Sequence, residues 1–287
     1  MWELIWSIAS SSLIFVVFKL FATYRVATFY AIVINYLTAC CVGFLFFARP
    51  FPLAELPDRP WFWPAMAMGC LFIAVFNLMA RTSQTMGVSV ASVATKMSLV
   101  LPVLAGVLLY GELLSPYKLL GICIALAAVY FASLKGDVRR VGIRTLYLPG
   151  LVFLGSGIID TSIKYLQETR IPDNEFPVFS ALIFGSAALT GTILMLVREP
   201  LSRFRPNGRN LLGGIALGIP NFFSIYFLLG ALKSVGMPSA YLFTLNNVSI
   251  VVLTTLLGII LFRERLSGAN WLGIGLGVSS ILIISLL

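Results

Sequence analysis

The chain has 287 residues, of which 59% are hydrophobic and only 11% are charged. A water-soluble domain carries about 25% charged residues, so this composition excludes an ordinary soluble fold. The net charge of +9 does not indicate nucleic-acid binding, because the Lys and Arg residues are scattered through short connections and form no single basic patch. The composition is typical of an integral membrane protein, whose basic residues collect beside the lipid headgroups.

Ten apolar runs follow one another along the chain, each close to the length of about 20 residues that a transmembrane helix needs. The first run begins at Trp2 with no basic segment before it, so we expect a retained helix and not a cleaved signal peptide. The connections are tight turns or short polar and proline-bearing loops. The sequence therefore predicts an all-α membrane protein with ten transmembrane helices. Their approximate ranges are 2–20, 28–47, 63–80, 88–110, 116–134, 148–166, 176–197, 211–232, 238–261 and 269–287.

The second half of the chain repeats the first. With a shift of 152 residues, six of eleven positions are identical, and a shift of 145 aligns Lys19 with Lys164. We therefore predict two five-helix repeats, at 1–136 and 143–287. Because five is odd, the second repeat is expected to enter the membrane in the opposite orientation. Transporters built from such inverted repeats bind substrate between the repeats and work by alternating access. The identical residues are Glu112, Leu114, Ser115, Leu120, Gly121 and Ile122, aligned with Glu264, Leu266, Ser267, Leu272, Gly273 and Ile274.

A short motif marks the junction between the fourth and fifth spans of each half. It comprises Gly111-Glu112-Leu113-Leu114-Ser115 followed by Leu120-Gly121, and Arg263-Glu264-Arg265-Leu266-Ser267 followed by Leu272-Gly273. With its ten apolar runs, the chain resembles the EamA-type members of the drug/metabolite transporter superfamily over nearly its whole length. Pro102 fits the fourth-helix proline of that family, whereas Thr254 stands in the equivalent place of the second half. The resemblance implies secondary-active movement of small metabolites, often export, through a central cavity.

Lys96 is the first candidate functional residue. Charged side chains deep in a span are costly and usually face a cavity or a partner. Lys96 lies about 12 Å into the fourth span, which is too deep for easy snorkelling, and Ser89 and Ser92 lie on the same helical face. Lys96 is interpreted as an anion-binding or gating residue. The alternative is a lysine satisfied by helix carbonyls or by a carboxylate.

Asp160 and Lys164 lie four residues apart on the sixth span, so they can pair directly. Such a pair is either structural or a site at which Asp160 exchanges a proton. The second interpretation would supply proton coupling in a chain that contains no histidine. Lys19 occupies the corresponding place in the first half. It is either a binding residue or a lysine that snorkels to the interface from its helix end.

Uncharged polar residues within the spans are candidates for the same cavity, although each could serve only to bond helices together. Asn246 and Asn247 are expected near the level of Lys96 under the repeat. Glu112 and Glu264 lie at helix ends and are interpreted as structural. The candidate substrate-binding residues are Lys96, Ser92, Asn246, Asn247, Asn77, Asn221, Lys164 and Lys19, and the candidate for proton coupling is Asp160.

These features predict an exporter or exchanger of a small polar, anionic or zwitterionic metabolite, because lysines predominate among the embedded charges. Two alternatives remain: a flippase for a lipid-linked substrate, and a polytopic membrane enzyme. The enzyme would need a cluster of acids, histidines or an activated nucleophile, which the sequence does not suggest. We expect no catalytic residue, metal or cofactor, since histidine is absent and the four cysteines lie in apolar segments.

The expected location is the cytoplasmic (inner) membrane, and the expected partners are a small-molecule substrate and the lipid bilayer. Nucleic acid is not expected, and a homodimer is left open. The orientation has two opposing indications. Connections after odd-numbered spans carry more than twice as many Lys and Arg residues as the others, which puts both termini outside. The family resemblance instead implies that both termini are cytoplasmic.

Overall fold

The computed structural model describes residues 2–46, 53–110, 115–134, 143–172, 175–198, 207–234 and 239–286. Over these residues the protein is all-α, and the prediction of ten helical segments is confirmed. Eight segments are long and apolar enough to cross a membrane, and two are shorter apolar helices. The helices are α1 (Trp2–Thr23), α2 (Thr28–Phe46), α3 (Phe62–Met86), α4 (Val88–Met97), α5 (Val100–Tyr110), α6 (Pro116–Ala132), α7 (Ile143–Thr169), α8 (Phe176–Arg198), α9 (Gly208–Ser234), α10 (Ser239–Phe262) and α11 (Gly268–Leu286), with a 3-10 helix at Leu53–Asp58.

The fourth predicted span, 88–110, is divided into α4 and α5 by a break at Ser98 and Leu99. Pro102 explains the break, because proline has no N–H to donate to the carbonyl four residues earlier and its ring clashes with that carbonyl. That carbonyl belongs to Ser98, and it accepts instead from the N–H of Leu101 at 2.9 Å. In the second half, Thr254 replaces the proline and α10 is continuous. The two halves therefore differ in backbone at the same position of the repeat.

Consecutive segments run in alternate directions, so the bundle has two ends. Face A is the end at which α1 begins at Trp2, and face B is the end at which α1 finishes at Thr23. Contacts join helix ends that this alternation places together: the backbone N–H of Ala27 donates to Asn210 Oδ1 at face B, and Trp61 Nε1 donates to Glu175 Oε2 at face A.

The helix contacts are reciprocal between the halves. α1 packs against α9, and α3 packs against α7; α2 packs against α9, and α3 packs against α8. The pairs α2–α8, α6–α11 and α4–α10 each join a helix to its repeat counterpart. This is the pattern of contacts that two inverted repeats would give, and the bounds 1–136 and 143–287 of the two units stay a prediction. Residues 135–142, which include most of the boundary between the units, lie outside the described residues.

The largest hydrophobic core lies between α1, α2, α3 and α8. The ring of Phe18 meets that of Phe76 edge to face with centroids 5.5 Å apart, and Tyr36 stacks on Phe184 at 6.1 Å. Tyr36 is fully buried, and its hydroxyl donates to the carbonyl of Phe72 at 2.9 Å, so no polar group is left unsatisfied there. These contacts hold the four helices in one arrangement.

The pair α6–α11 depends on glycine at one close approach. A Cβ at Gly273 would collide with the backbone nitrogen of Ala132, whereas a Cβ at Gly275 would meet nothing within 4 Å. Asn270 strengthens the same contact by donating to the carbonyls of Ala132 and Leu134, each at 2.8 Å. Small residues at helix crossings allow such close packing in membranes.

Gly273→Ala is therefore expected to destabilise the protein by about 1–3 kcal/mol, because a backbone neighbour would have to shift. Gly275→Ala is the matched control, in the same helix, and is expected to be neutral or slightly stabilising through its better helix propensity. Thermal unfolding midpoints of the two purified variants in detergent test the difference. Equal midpoints would show that α6 and α11 do not meet as described.

Candidate functional site

Lys96, Ser98 and Asp160 form a cluster at the break between α4 and α5; we refer to these three residues as the Lys96 cluster. Ser98 is the residue that follows α4, and its hydroxyl lies 3.3 Å from Asp160 Oδ2 on α7. Lys96 is in the last turn of α4, and its charge interacts with that of Asp160. A carboxylate bonded to a hydroxyl and a lysine that interacts with it electrostatically thus lie within the membrane-spanning part of the bundle.

The two helix ends at the break favour a cation on one side and an anion on the other. The carbonyl end of a helix carries partial negative charge and favours a cation, whereas the N–H end of the next helix favours an anion. Lys96 lies at the carbonyl end of α4, and Asp160 reaches Ser98 just before α5 begins at Val100. The arrangement resembles the discontinuous helices that form binding sites in transporters.

Within the Lys96 cluster, Asp160 is exposed, Lys96 is half-buried and Ser98 is buried, and the preceding part of α4 is sealed. From Val88 to Ala94, every residue is 6% exposed or less. Lys96 is half-buried and Asp160 is exposed, although each lies well inside a membrane-spanning segment and not at its end.

Asp160 lies 3.3 Å from the hydroxyl of Ser98, and its charge interacts with that of Lys96, whereas spacing along α7 predicted only Lys164 as its neighbour. The four-residue spacing permits a pair within α7, but tertiary packing brings a different cation to the carboxylate. Lys164 is half-buried one turn further along α7 and has its own interaction.

A second group of polar residues joins α1, α2, α9 and α10. Ser7 donates to the carbonyl of Ser224 at 2.8 Å and approaches Asn246 Oδ1 at 3.3 Å. Asn221 donates to Asn35 Oδ1 at 3.2 Å. All five residues are buried, so the network satisfies polar groups between helices.

Asn247 differs from its neighbour Asn246. It is half-buried, and among the residues that the structure describes its side chain has no hydrogen-bond partner. Asn77 donates to the carbonyl of Ile73 at 2.7 Å within its own helix. Ser92 is fully buried and accepts from Thr254 Oγ1 at 2.7 Å, which links α4 to α10.

Lys19 lies at face B and bonds to protein groups. Its Nζ is 3.8 Å from Glu264 Oε1 and donates to the carbonyl of Gln84 at 3.2 Å. Both charged residues line a cavity of about 440 Å³ that also includes Arg265 and Asn270. Lys19 is therefore held by the bundle and does not extend freely to the interface.

Five of the nine predicted site residues lie in three places: two in the Lys96 cluster, two in the buried network around Ser7, and Lys19 at face B. The other four, Ser92, Asn77, Asn247 and Lys164, lie in none of the three. Two contributors were missed from the sequence, Ser98 and Ser7. Ser98 had a signal, since it lies four residues before Pro102 and its carbonyl must lose a helical bond. Ser7 had none, because its partners are more than 200 residues away. Within the described ranges there is no cluster of three or more His, Cys, Asp or Glu residues that could hold a metal.

Comparisons with known proteins agree with this architecture. Residues 148–286 match the model of the EamA-like transporter family. An uncharacterised protein of Haemophilus influenzae is 29% identical over 290 residues, which cover 98% of this chain and 96% of the relative. A protein of known crystal structure superposes with a TM-score of 0.58 at 20% identity, covering 98% of this chain and 97% of that one. At this identity, the structural likeness shows the fold alone.

Proposed function

This chain belongs to the EamA-like transporter family of multi-pass membrane proteins, and from that premise we propose that it is a secondary-active transporter of a small anionic or zwitterionic metabolite. The family implies a small-molecule substrate. Beyond what the family implies, the proposal states that the substrate is anionic or zwitterionic, that it binds at the Lys96 cluster, and that the protein exports or exchanges it by alternating access. The cytoplasmic membrane is its proposed location.

The observation that carries the proposal is the pair of opposite charges at the helix break. An ionised group within a bilayer is costly, so it is retained where it serves a pathway or a partner. Lys96 offers an ammonium with three donors, and Asp160 offers a carboxylate that accepts. An anionic substrate group would replace Asp160 beside Lys96, and a substrate amino group would take the freed carboxylate.

Asp160 is also the proposed proton-coupling group. The chain has no histidine, so a carboxylate is the most suitable side chain for carrying a proton within the spans. If an anionic substrate without an amino group displaces Asp160 from Lys96, the carboxylate loses the interaction with that cation and binds a proton more readily. Substrate binding and proton binding would then be coupled in one cluster.

Thermal-shift screening of the purified protein tests the substrate class. The panel consists of small metabolites grouped as anions, zwitterions, cations and neutral compounds. We expect stabilisation by members of the first two groups, since a ligand at 100 times its dissociation constant stabilises by about 2.7 kcal/mol. Each hit is then assayed for uptake into proteoliposomes, with protein-free liposomes as the control. Hits confined to cations, or hits that are bound but never translocated, would contradict the proposal.

A further inference from the structure

The carboxylate of Glu264 joins the two halves of the chain at face B. Glu264 lies between α10 and α11, and its Oε1 accepts from the backbone N–H of Val88, the first residue of α4, at 2.8 Å. Its Oε2 is 3.3 Å from the hydroxyl of Ser89, and Lys19 of α1 lies 3.8 Å from Oε1. We name Glu264, Lys19, Val88 and Ser89 the Glu264 latch.

Two glycines make room for this carboxylate. A Cβ at Gly87 would lie 2.9 Å from both oxygens of Glu264, and a Cβ at Gly258 would lie 2.6 Å from Oε2. Gly87 also has a φ of 115°, which favours glycine. The turn after α10 also positions this carboxylate. Arg263 has a φ of 51°, and the N–H of Glu264 donates to the carbonyl of Gly258 at 3.1 Å. The backbone of each half thus leaves space for the side chain of Glu264.

The Glu264 latch supplies the N-terminal cap that α4 lacks. Gly87 precedes the helix and has no side chain to cap the first N–H groups. Glu264 provides the acceptor and a negative charge at the positive end of the helix. A residue from the second half therefore stabilises the first turn of a helix in the first half.

α4 connects the latch to the Lys96 cluster. It is a ten-residue helix with Glu264 at its first turn and Lys96 in its last. Gly87 at one end and the break at Ser98 and Leu99 at the other allow it to move as a unit. α4 is sealed from Val88 to Ala94, whereas Asp160 on α7 is exposed. The bundle is therefore closed between the cavity at Lys19 and the Lys96 cluster.

We propose that the Glu264 latch is the gate at face B, and that α4 is a short rigid lever that opens it. This inference rests on the proposed transport function and names the residues that control access to that site. Substrate entering between Lys96 and Asp160 moves the carbonyl end of α4. The N–H end then leaves Glu264, and the Lys19 contact opens with it.

Sided labelling of a buried cysteine tests the gate. Ala94 is 1% exposed and lies between the latch and the Lys96 cluster, so Ala94→Cys reports whether face B is open. The four native cysteines are first replaced by alanine. A membrane-impermeant maleimide is then added to sealed vesicles of each orientation. We expect slow labelling from face B when the latch is intact.

Loss of the ion pair should open face B. In Lys19→Met and Glu264→Gln, labelling from face B is expected to rise about five- to tenfold, since an ion pair contributes about 1 kcal/mol and couplings of this kind are five-fold or more. Arg265→Gln is the matched control, because Arg265 lines the same cavity, is exposed and bonds to no described residue. Labelling from face A is expected to fall in the two latch variants.

A variant that alters no charge makes the test independent of electrostatics. Gly258→Ala puts a methyl group 2.6 Å from Glu264 Oε2 and 3.2 Å from the hydroxyl of Ser89, so the carboxylate is the group that must move most. It should raise labelling from face B as the charge variants do. Gly268→Ala, where a Cβ meets nothing within 4 Å, should not.

Two results would overturn the gate. One is equal labelling from face B in all variants and controls. The other is faster labelling from both faces at once, which indicates loosened folding and a purely structural latch. The labelling requires no substrate, so it is independent of the proposed binding site. If Lys96 variants leave ligand binding intact while latch variants open face B, the site assignment fails and the gate stands.

Discussion

Lys96→Met is expected to raise the dissociation constant of an anionic or zwitterionic ligand by about 100-fold. Methionine keeps a linear stem and removes the ammonium. Truncating one member of a hydrogen-bonded charge pair that is buried in a complex costs about 2–5 kcal/mol, and the expected pair is the one between Lys96 and the bound ligand; about 2.7 kcal/mol corresponds to 100-fold. Removal of Lys96 would also leave Asp160 without the cation that its charge meets in the structure. Titration of the thermal shift with a hit from the metabolite panel measures the change.

Lys118→Met is the control for Lys96→Met. It removes a lysine of the same chemistry from the first turn of α6, where Ser115 caps the helix, and not from the Lys96 cluster. We expect Lys118→Met to bind the same ligand with the dissociation constant of the unsubstituted protein. An unchanged affinity in Lys96→Met, with the protein folded, would remove Lys96 from the site.

Asp160→Asn should abolish accumulation driven by a proton gradient while exchange of substrate across the membrane continues. A gradient of about one pH unit supplies about 1.4 kcal/mol per proton, which supports about a tenfold accumulation with one proton per substrate. Asparagine cannot gain or lose that proton, so the expected accumulation ratio falls to about one. The hydrogen bond with Ser98 can persist, because the amide replaces the carboxylate at the same position. Proteoliposomes with and without the imposed gradient give the two ratios.

Asp58→Asn is the matched substitution outside the spans. Asp58 is exposed at the end of the 3-10 helix between α2 and α3, so its loss should leave the accumulation ratio unchanged. Equal accumulation in Asp160→Asn and in the unsubstituted protein would make Asp160 a structural partner of Lys96 and Ser98.

Most of the helical architecture could be predicted because hydropathy and length act locally. A run of about 20 apolar residues forms a helix in lipid whatever its neighbours are, since its backbone groups must bond internally. The division of the fourth span was not predicted, although the sequence contains Pro102. Proline removes one bond, but packing decides whether the helix merely bends or separates into α4 and α5.

Two of the three residues of the Lys96 cluster were singled out from the sequence, and their grouping was not predicted. Lys96 and Asp160 were both identified because charge within a span is rare. Their meeting was not foreseen, since spacing along one helix favoured Lys164 as the partner of Asp160. Distances between helices depend on packing that no single-helix pattern contains.

The sequence by itself determined the membrane class, the ten segments, the internal repeat and the identity of the embedded charged residues, because each follows from composition or from spacing along the chain. The tertiary structure alone decided which of these residues meet. It brought Asp160 to Ser98 at the break that follows Lys96, and it brought Glu264 to the start of α4 from 176 positions away. Such contacts depend on how helices pack side by side, and glycines such as Gly87 and Gly258 permit them only in the folded bundle.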